Sequence, residues 1–206
     1  MYIHNDITID VEYLWKMIRY YTPNSTDTKI TTYTKSDYTH INEWSIYTVH
    51  FGYAIPSKEA IQKIKQFVNN DELLEIGAGL GLWSYLLLCN NVKVHVTDSY
   101  VDDWNCCRGY KFTPVEHIEG IDALEKYKTK CLMLIWPDLS RMAYEMLQIF
   151  KGNKFIYIGE ERDDLSAEDK FFDLLEKKWK LIDKIYIPRF HKDYVHLYEQ
   201  TITNNI

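Results

Sequence analysis

Leu73-Leu74-Glu75-Ile76-Gly77-Ala78-Gly79-Leu80-Gly81 is the stretch on which the reading of this chain turns. A short apolar run of strand length meets three glycines at alternate positions, and the residues that follow, LGLWSYLLL (80–88), have helical character. Glycines are needed where a chain turns tightly from strand to helix and lets ligand atoms approach its backbone. The helix opening there offers free N–H groups and the positive end of its dipole to a polar or anionic group. Spacing disfavours two nucleotide sites. A dinucleotide turn expects G-x-G-x-x-G, but position 82 is Leu82. A phosphate-binding P-loop expects G-K-S/T, and none follows.

Outward from this turn, strand and helix patterns alternate. VKVHVTD (92–98) predicts a second strand with Val92, Val94 and Val96 on one face, and a short helix is expected near 100–108. FTPVEHI (112–118) predicts a third strand, CLMLIW (131–136) a buried fourth and KFIYIG (154–159) a fifth. Residues 138–150 and AEDKFFDLLEKKW (167–179) have helical patterns. The runs 180–187 and 193–201, joined by Pro188 to Lys192, are expected to pair antiparallel. Upstream, SKEAIQKIKQFV predicts a helix capped by Ser57, with Ile61, Ile64, Phe67 and Val68 on one face. Residues 10–21 predict another, with Asp10 as N-cap and Val11, Leu14, Trp15 and Ile18 along one stripe. Between these helices, residues 22–40 are polar and Thr-rich, a loop or lid, and aromatics return at Trp44, Tyr47, His50, Phe51 and Tyr53. The alternation predicts an α/β fold with an open, mostly parallel sheet and right-handed crossovers. A single domain is expected, with residues 1–56 as an N-terminal helix and aromatic lid segment and 57–206 as the core.

Bulk properties narrow the partners. A formal net charge of -6 argues against a global basic footprint for nucleic acid, though it leaves room for a local patch. Cys89, Cys106, Cys107 and Cys131 form no C-x-x-C pair and no zinc spacing, so reduced thiols and no metal are expected. Residues 1–10 lack the basic start and apolar run of a signal peptide. No stretch approaches the roughly 18 apolar residues of a membrane span. A cytoplasmic protein without membrane contact is the expectation.

Two acidic residues follow the glycine turn at telling distances. Asp98 ends the second strand, 21 residues after Gly77 (98 minus 77), where a carboxylate can accept hydrogen bonds from both ribose hydroxyls. The competing reading is a turn-forming Asp. Asp122, in Gly120-Ile121-Asp122-Ala123-Leu124, follows the third strand, and its competing reading is a helix N-cap.

The form Glu75-x-Gly77-x-Gly79-x-Gly81 resembles the first motif of class I S-adenosylmethionine-dependent methyltransferases. The resemblance implies a Rossmann-like seven-stranded sheet, mostly parallel with a terminal antiparallel strand, and a helical and loop N-terminal extension. It implies S-adenosyl-L-methionine as cofactor and S-adenosyl-L-homocysteine as product. The turn would wrap the methionine part, with Glu75 near its amino end, and Asp122 would accept from the adenine amino group. The implied cofactor set is Glu75, Gly77, Ala78, Gly79, Gly81, Asp98, Ser99, Asp122, Ala123 and Trp136. A closer similarity covers about residues 50 to 200. The blocks at 51–57, 75–84, Trp136-Pro137-Asp138 with Met142-Ala143, and 157–160 with Phe171-Phe172 look like a methyltransferase family carrying W-A-I-P-S, E-I-G-A-G-x-G-Y-W-A, W-P-P and I-G-E blocks. This chain departs from it at Tyr53 for Trp, Leu82 for Tyr and Asp138 for the second Pro.

Methyl transfer from a sulfonium is an in-line displacement in which the protein aligns the acceptor, excludes water and, where needed, removes a proton. Ligands of open α/β sheets lie beyond the carboxyl ends of the strands. The acceptor is therefore expected near Trp136-Pro137-Asp138 and Glu160-Glu161. Base-directed amino methyltransferases carry D/N/S-P-P-Y/F/W after the fourth strand, and Ile135-Trp136-Pro137-Asp138 matches that poorly. The candidate catalytic residues are Glu160 as base or orienting carboxylate, Tyr53 through a cation–π contact to the sulfonium, and Asp138. Against these stand a capping or ion-paired Glu160, core packing for Tyr53, and packing plus a rigid turn for Trp136 and Pro137. His191 and His196 flank the last strand pair and read as surface or core histidines. Lys177, Lys178, Lys180, Arg189 and Lys192, interspersed with Glu176 and Asp183, read as a solvated face.

The acceptor stays open. A small molecule is slightly favoured over an RNA or DNA acceptor stacked on Tyr33, Tyr38, Trp44 and Tyr47. A protein acceptor and a non-catalytic partner subunit are further readings, and the glycine spacing disfavours an oxidoreductase.

Overall fold

The apolar run ahead of the glycines lies at the centre of the sheet. In the computed structural model, which describes residues 10–21, 48, 50–100, 111–162, 165–187 and 192–201, β1 (Leu73–Ile76) lies between two parallel neighbours, β2 (Val94–Asp98) and β4 (Cys131–Ile135). All four β1 residues are buried, so the strand has no polar alternation to show in sequence. β3 (Glu116–His117) pairs parallel with β2, and β5 (Lys154–Gly159) pairs parallel with β4. β7 (Asp193–Gln200) runs antiparallel beside β5, and β6 (Trp179–Ile187) closes the edge antiparallel to β7. The order is β3-β2-β1-β4-β5-β7-β6. This is the Rossmann-like seven-stranded sheet expected above, with one strand running against the rest.

Among the described residues, its two faces are covered by helices α1 (Val11–Tyr21), α2 (Lys58–Val68), α3 (Leu82–Cys89), α4 (Gly120–Tyr127), α5 (Met142–Ile149) and α6 (Asp169–Lys178). Leu14, Ile18, Ile61, Ile64 and Leu86 from α1–α3 share one core with Leu73, Met133, Ile156 and Val195. Ala123, Met146, Phe171 and Leu175 from α4–α6 share the other with Leu74, Leu132, Phe155 and Tyr157. Neighbouring strand residues such as Leu73 and Leu74 therefore feed opposite cores, as the two-residue period of a strand requires. The expected caps form. Asp10 Oδ1 accepts from the Glu12 N–H at 2.9 Å, and Ser57 Oγ accepts from the Ala60 N–H at 3.0 Å.

Several boundaries differ from expectation, three of them with a clear physical cause. The third strand contracts to two residues, because the segment before it packs on the start of α3, where the Phe112 N–H donates to the Leu80 carbonyl at 2.9 Å. The helix expected over 138–150 starts at Met142, because Asp138 Oδ1 accepts from the Ser140 N–H at 3.1 Å and holds a local turn instead. Asp122 is not an N-cap. Its helix begins at Gly120, which leaves Asp122 exposed in the first turn. The loop or lid over 22–40, the aromatics Trp44 and Tyr47, residues 101–108 of the helix expected near 100–108, Cys106, Cys107, Arg189 and His191 lie outside the described residues. Among the described residues no helix is long and apolar enough to cross a membrane.

Candidate functional site

The turn after β1 is built from left-handed backbone. Gly77, Gly79 and Gly81 have φ of +75°, +54° and +72°, and the turn is pinned where the Ala78 N–H donates to the Thr97 carbonyl at 3.0 Å. The glycines serve different ends. A Cβ on Gly81 would lie 3.0 Å from Thr113 Cγ2 and 3.3 Å from Val115 Cγ2, so this glycine lets the start of α3 approach the segment before β3. A Cβ on Gly79 would meet nothing within 4 Å, and one on Gly77 only Met142 Cε at 4.0 Å. The turn thus has a closed side at Gly81 and an open side at Gly77 and Gly79. The open side lies at the carboxyl end of β1, where successive connections leave toward opposite sheet edges, the place at which such sheets bind ligands. The floor of this cradle carries no side chains at Gly77 and Gly79, which leaves room for a ligand against the backbone.

Asp98 closes one flank of the cradle. It is buried at the end of β2; its Oδ2 accepts from the Gly79 N–H at 2.7 Å and its Oδ1 from the Tyr100 N–H at 2.7 Å. Each carboxylate oxygen keeps a second lone pair for a ligand hydroxyl. Lys111 holds the next peptide group, with Nζ 2.9 Å from the Gly79 carbonyl oxygen and 4.2 Å from the centre of the Tyr100 ring. Sequence reasoning missed Lys111, which carries no motif of its own. Ser99, next to Asp98, is half-buried. Asp122 stands in the first turn of α4, whose Gly120 lies against Ile76 at the end of β1, and Ala123 is buried beneath it.

Glu75 is turned inward. It is 1% exposed and hydrogen-bonded to the Ser84 hydroxyl of α3. Burial pushes its carboxyl up to about 8; the Ser84 hydroxyl opposes that shift and the negative charge of Asp98 adds to it. Its side chain thus ties the floor of the turn to α3 in a mostly protonated form at neutral pH.

Beyond β4, on the strand next to the turn, Trp136 adopts φ +48°. A bulky residue in this region is strained and persists only when several contacts hold it. The Trp136 N–H donates to the Ile158 carbonyl at 2.7 Å, its Nε1–H donates to Asp193 Oδ1 at 2.8 Å, and its ring stacks on Tyr53 with centroids 5.3 Å apart and planes 13° from parallel. The Trp83 Nε1–H anchors the segment carrying Tyr53 by donating to the Ala54 carbonyl at 2.9 Å. Asp193 is fully buried, and sequence reasoning missed it; only the pairing of β7 beside β5 brings it to this end of the sheet.

Glu160 follows β5 and is buried. Its Oε2 accepts from the Leu165 N–H at 2.7 Å, its N–H donates to Ser166 Oγ at 2.9 Å, and the Tyr157 hydroxyl donates to its carbonyl at 2.8 Å. The Ala167 N–H donates to the Pro137 carbonyl at 3.0 Å and ties the loop after β5 to the loop after β4. The structure therefore places Gly77 and Gly79, Asp98, Trp136 and Glu160 at the carboxyl ends of four neighbouring strands, with Tyr53 stacked on Trp136. Asp138 stands apart on the surface. His196 is a core histidine stacked on Tyr157 at 5.3 Å, and burial, together with the Lys184 charge, lowers it to about 4.

No family model matches this sequence, and no curated protein does. Solved structures do. An uncharacterized protein from Listeria monocytogenes serotype 4b is 12% identical over 73% of this chain and 70% of its own, with a TM-score of 0.51. A protein in the NADB-Rossmann superfamily from Streptococcus agalactiae is 10% identical over 74% and 72%, with a TM-score of 0.49. TrmK of M. capricolum, solved with S-adenosyl-homocysteine, is 13% identical over 71% and 69%, with a TM-score of 0.47. At these identities the Listeria likeness speaks to the fold alone, and it agrees with the Rossmann-like sheet traced here.

Proposed function

We propose that this chain is an S-adenosyl-L-methionine-dependent methyltransferase. The observation that carries the reading is the Gly79 peptide: left-handed, open above, and hydrogen-bonded to the buried Asp98 at the end of the neighbouring strand. The glycine turn receives the methionine portion, Asp98 and Ser99 the ribose, and Asp122 and Ala123 the adenine. The resemblance of the blocks at 51–57, 75–84, 136–138 and 157–160 to those of the W-A-I-P-S methyltransferase family is in keeping with the same assignment. The bound cofactor supplies an electrophilic methyl carbon. The protein's part is to hold an acceptor in line with it and keep water out. Trp136 and Tyr53 wall the acceptor side. Glu160 shapes the loop that covers it, since its carboxylate already binds the Leu165 N–H. Asp138, exposed and engaged in its own turn, receives no chemical role. The net charge of -6 favours a small acceptor over a nucleic acid.

Calorimetric titration with S-adenosyl-L-homocysteine tests the reading. Saturable one-site binding is expected, and Gly79→Arg abolishes it with unchanged circular dichroism, because the side chain fills the cradle. Folded wild-type protein that takes up neither this ligand nor S-adenosyl-L-methionine would overturn it.

A further inference from the structure

The glycines that open the cradle also loosen it. Without a Cβ, Gly79 lets its two flanking peptide groups rotate more widely than any other residue would. A floor that a ligand can approach closely must therefore be held from outside. Two side chains do so, one for each peptide. Asp98 Oδ2 accepts from the Gly79 N–H at 2.7 Å and fixes the 78–79 peptide, and Lys111 Nζ donates to the Gly79 carbonyl at 2.9 Å and fixes the 79–80 peptide. Because a trans peptide points its N–H away from its C=O, Lys111 also sets the direction of the Leu80 N–H.

The two holds are joined through Tyr100. Its N–H donates to Asp98 Oδ1 at 2.7 Å, and the centre of its ring lies 4.2 Å from Lys111 Nζ. Tyr100 has φ +52°, a strained conformation for a bulky residue that persists only where several contacts impose it. Asp98, Gly79, Lys111 and Tyr100 thus form a closed circuit on one flank of the cradle. The backbone delivers Lys111 to this place: the neighbouring Phe112 N–H donates to the Leu80 carbonyl at 2.9 Å, and the Phe112 ring stacks on Phe51 with centroids 6.1 Å apart. That anchor does not depend on the Lys111 side chain.

We infer that Lys111 is a positioning residue for cofactor binding, which holds the Gly79–Leu80 peptide in its binding orientation before the ligand arrives. The inference rests on the methyltransferase reading and extends it to a residue outside the glycine motif. Lys111 acts through the backbone and not by touching the ligand. A site ordered in advance binds more tightly, because association need not supply the ordering.

Calorimetry with S-adenosyl-L-homocysteine on the full chain reads the effect. Lys111→Met keeps most of the stem and removes the donor. It is expected to weaken binding about fivefold to thirtyfold, the freedom of one backbone residue, with unchanged circular dichroism. Lys111→Arg keeps a donor for the carbonyl and a group to lie over Tyr100, and is expected to recover binding to within about threefold of wild type. Hydrogen exchange of the ligand-free proteins supplies a second readout: in Lys111→Met it should quicken at residues 77–81 and not in β4 or β5. Unchanged affinity in Lys111→Met, a loss that Lys111→Arg does not restore, exchange that quickens equally in β4 and β5, or a Lys111→Met chain that no longer folds overturns the inference and leaves the methyltransferase reading standing. Wild type that binds neither S-adenosyl-L-homocysteine nor S-adenosyl-L-methionine overturns both.

Discussion

Asp98 and Gly79 act as one unit, the Oδ2 of the carboxylate lying 2.7 Å from the glycine amide across 19 residues of chain. The bond fastens the end of β2 to the turn after β1, so the shape of the cradle depends on a side chain from the neighbouring strand. Asp98→Ala leaves the Gly79 N–H without this acceptor and removes the proposed ribose ligand. Affinity for S-adenosyl-L-homocysteine is expected to weaken by about 1–3 kcal/mol, with a comparable loss in stability. Calorimetry and urea unfolding measure the two effects, and a negligible change in affinity would remove Asp98 from the ribose role.

Alanine at Gly79 and at Gly81 separates conformational strain from crowding. Gly79→Ala meets only the cost of a left-handed residue, about 1–2 kcal/mol. Gly81→Ala adds contact with Thr113 at 3.0 Å and Val115 at 3.3 Å, for a total of about 2–5 kcal/mol. Denaturant midpoints should rank wild type above Gly79→Ala above Gly81→Ala. Equal losses would contradict the close approach at Gly81.

Glu75 links stability to pH in the direction opposite to that of an ion-paired carboxylate. Its folded value of about 8 exceeds its ordinary 4.5, so the folded state binds the extra proton between these limits. Its contribution is fully present below about pH 4.5 and declines as pH rises toward about 8. Glu75→Gln should flatten this decline. Urea unfolding at pH 5, 6, 7 and 8 reads the slope, and parallel profiles for the two proteins would refute the assignment.

His196 acts at the acid end with the opposite sign. Its folded value of about 4 lies below its ordinary 6.5, so unfolding takes up a proton in that window. The histidine's contribution is intact above about pH 6.5 and is lost as pH falls toward about 4. His196→Gln should reduce acid destabilisation between these limits, as judged from melting temperatures across the range. The two groups oppose each other where their windows overlap, so only the single variants reveal either slope.

Ser57 caps α2 through the Ala60 N–H at 3.0 Å. Ser57→Ala is expected to cost about 1 kcal/mol. Because α2 packs on the α1–α3 side of the sheet, the loss should appear in global unfolding, measured by denaturant titration, and not as local fraying.

What could be seen in advance was what depends on neighbours along the chain. The Ser57 and Asp10 caps, the fifth strand at Lys154–Gly159 and the turn at Gly77–Gly81 all follow from a few adjacent residues. The start of α5 was misjudged because a side chain only two residues from Ser140 captured its amide. Asp193 gave no signal, since its meaning arises from strand pairing that sets it against Trp136. Gly81 was foreseen as a glycine but for an incomplete reason: the methyl groups that forbid a side chain there belong to Thr113 and Val115, more than thirty residues on. Glu75 was expected to face the cofactor, and nothing in its immediate sequence told that Ser84 would draw it inward.

The seating of β7 between β5 and β6 bears on the order of assembly. During synthesis β6 emerges first yet has no docking edge until β7 arrives to separate it from β5. Until then β5 presents a bare hydrogen-bonding edge lined by Phe155, Ile156, Tyr157 and Ile158. A chain cut just short of residue 193 would therefore carry a sticky, unfinished sheet edge open to pairing with another chain.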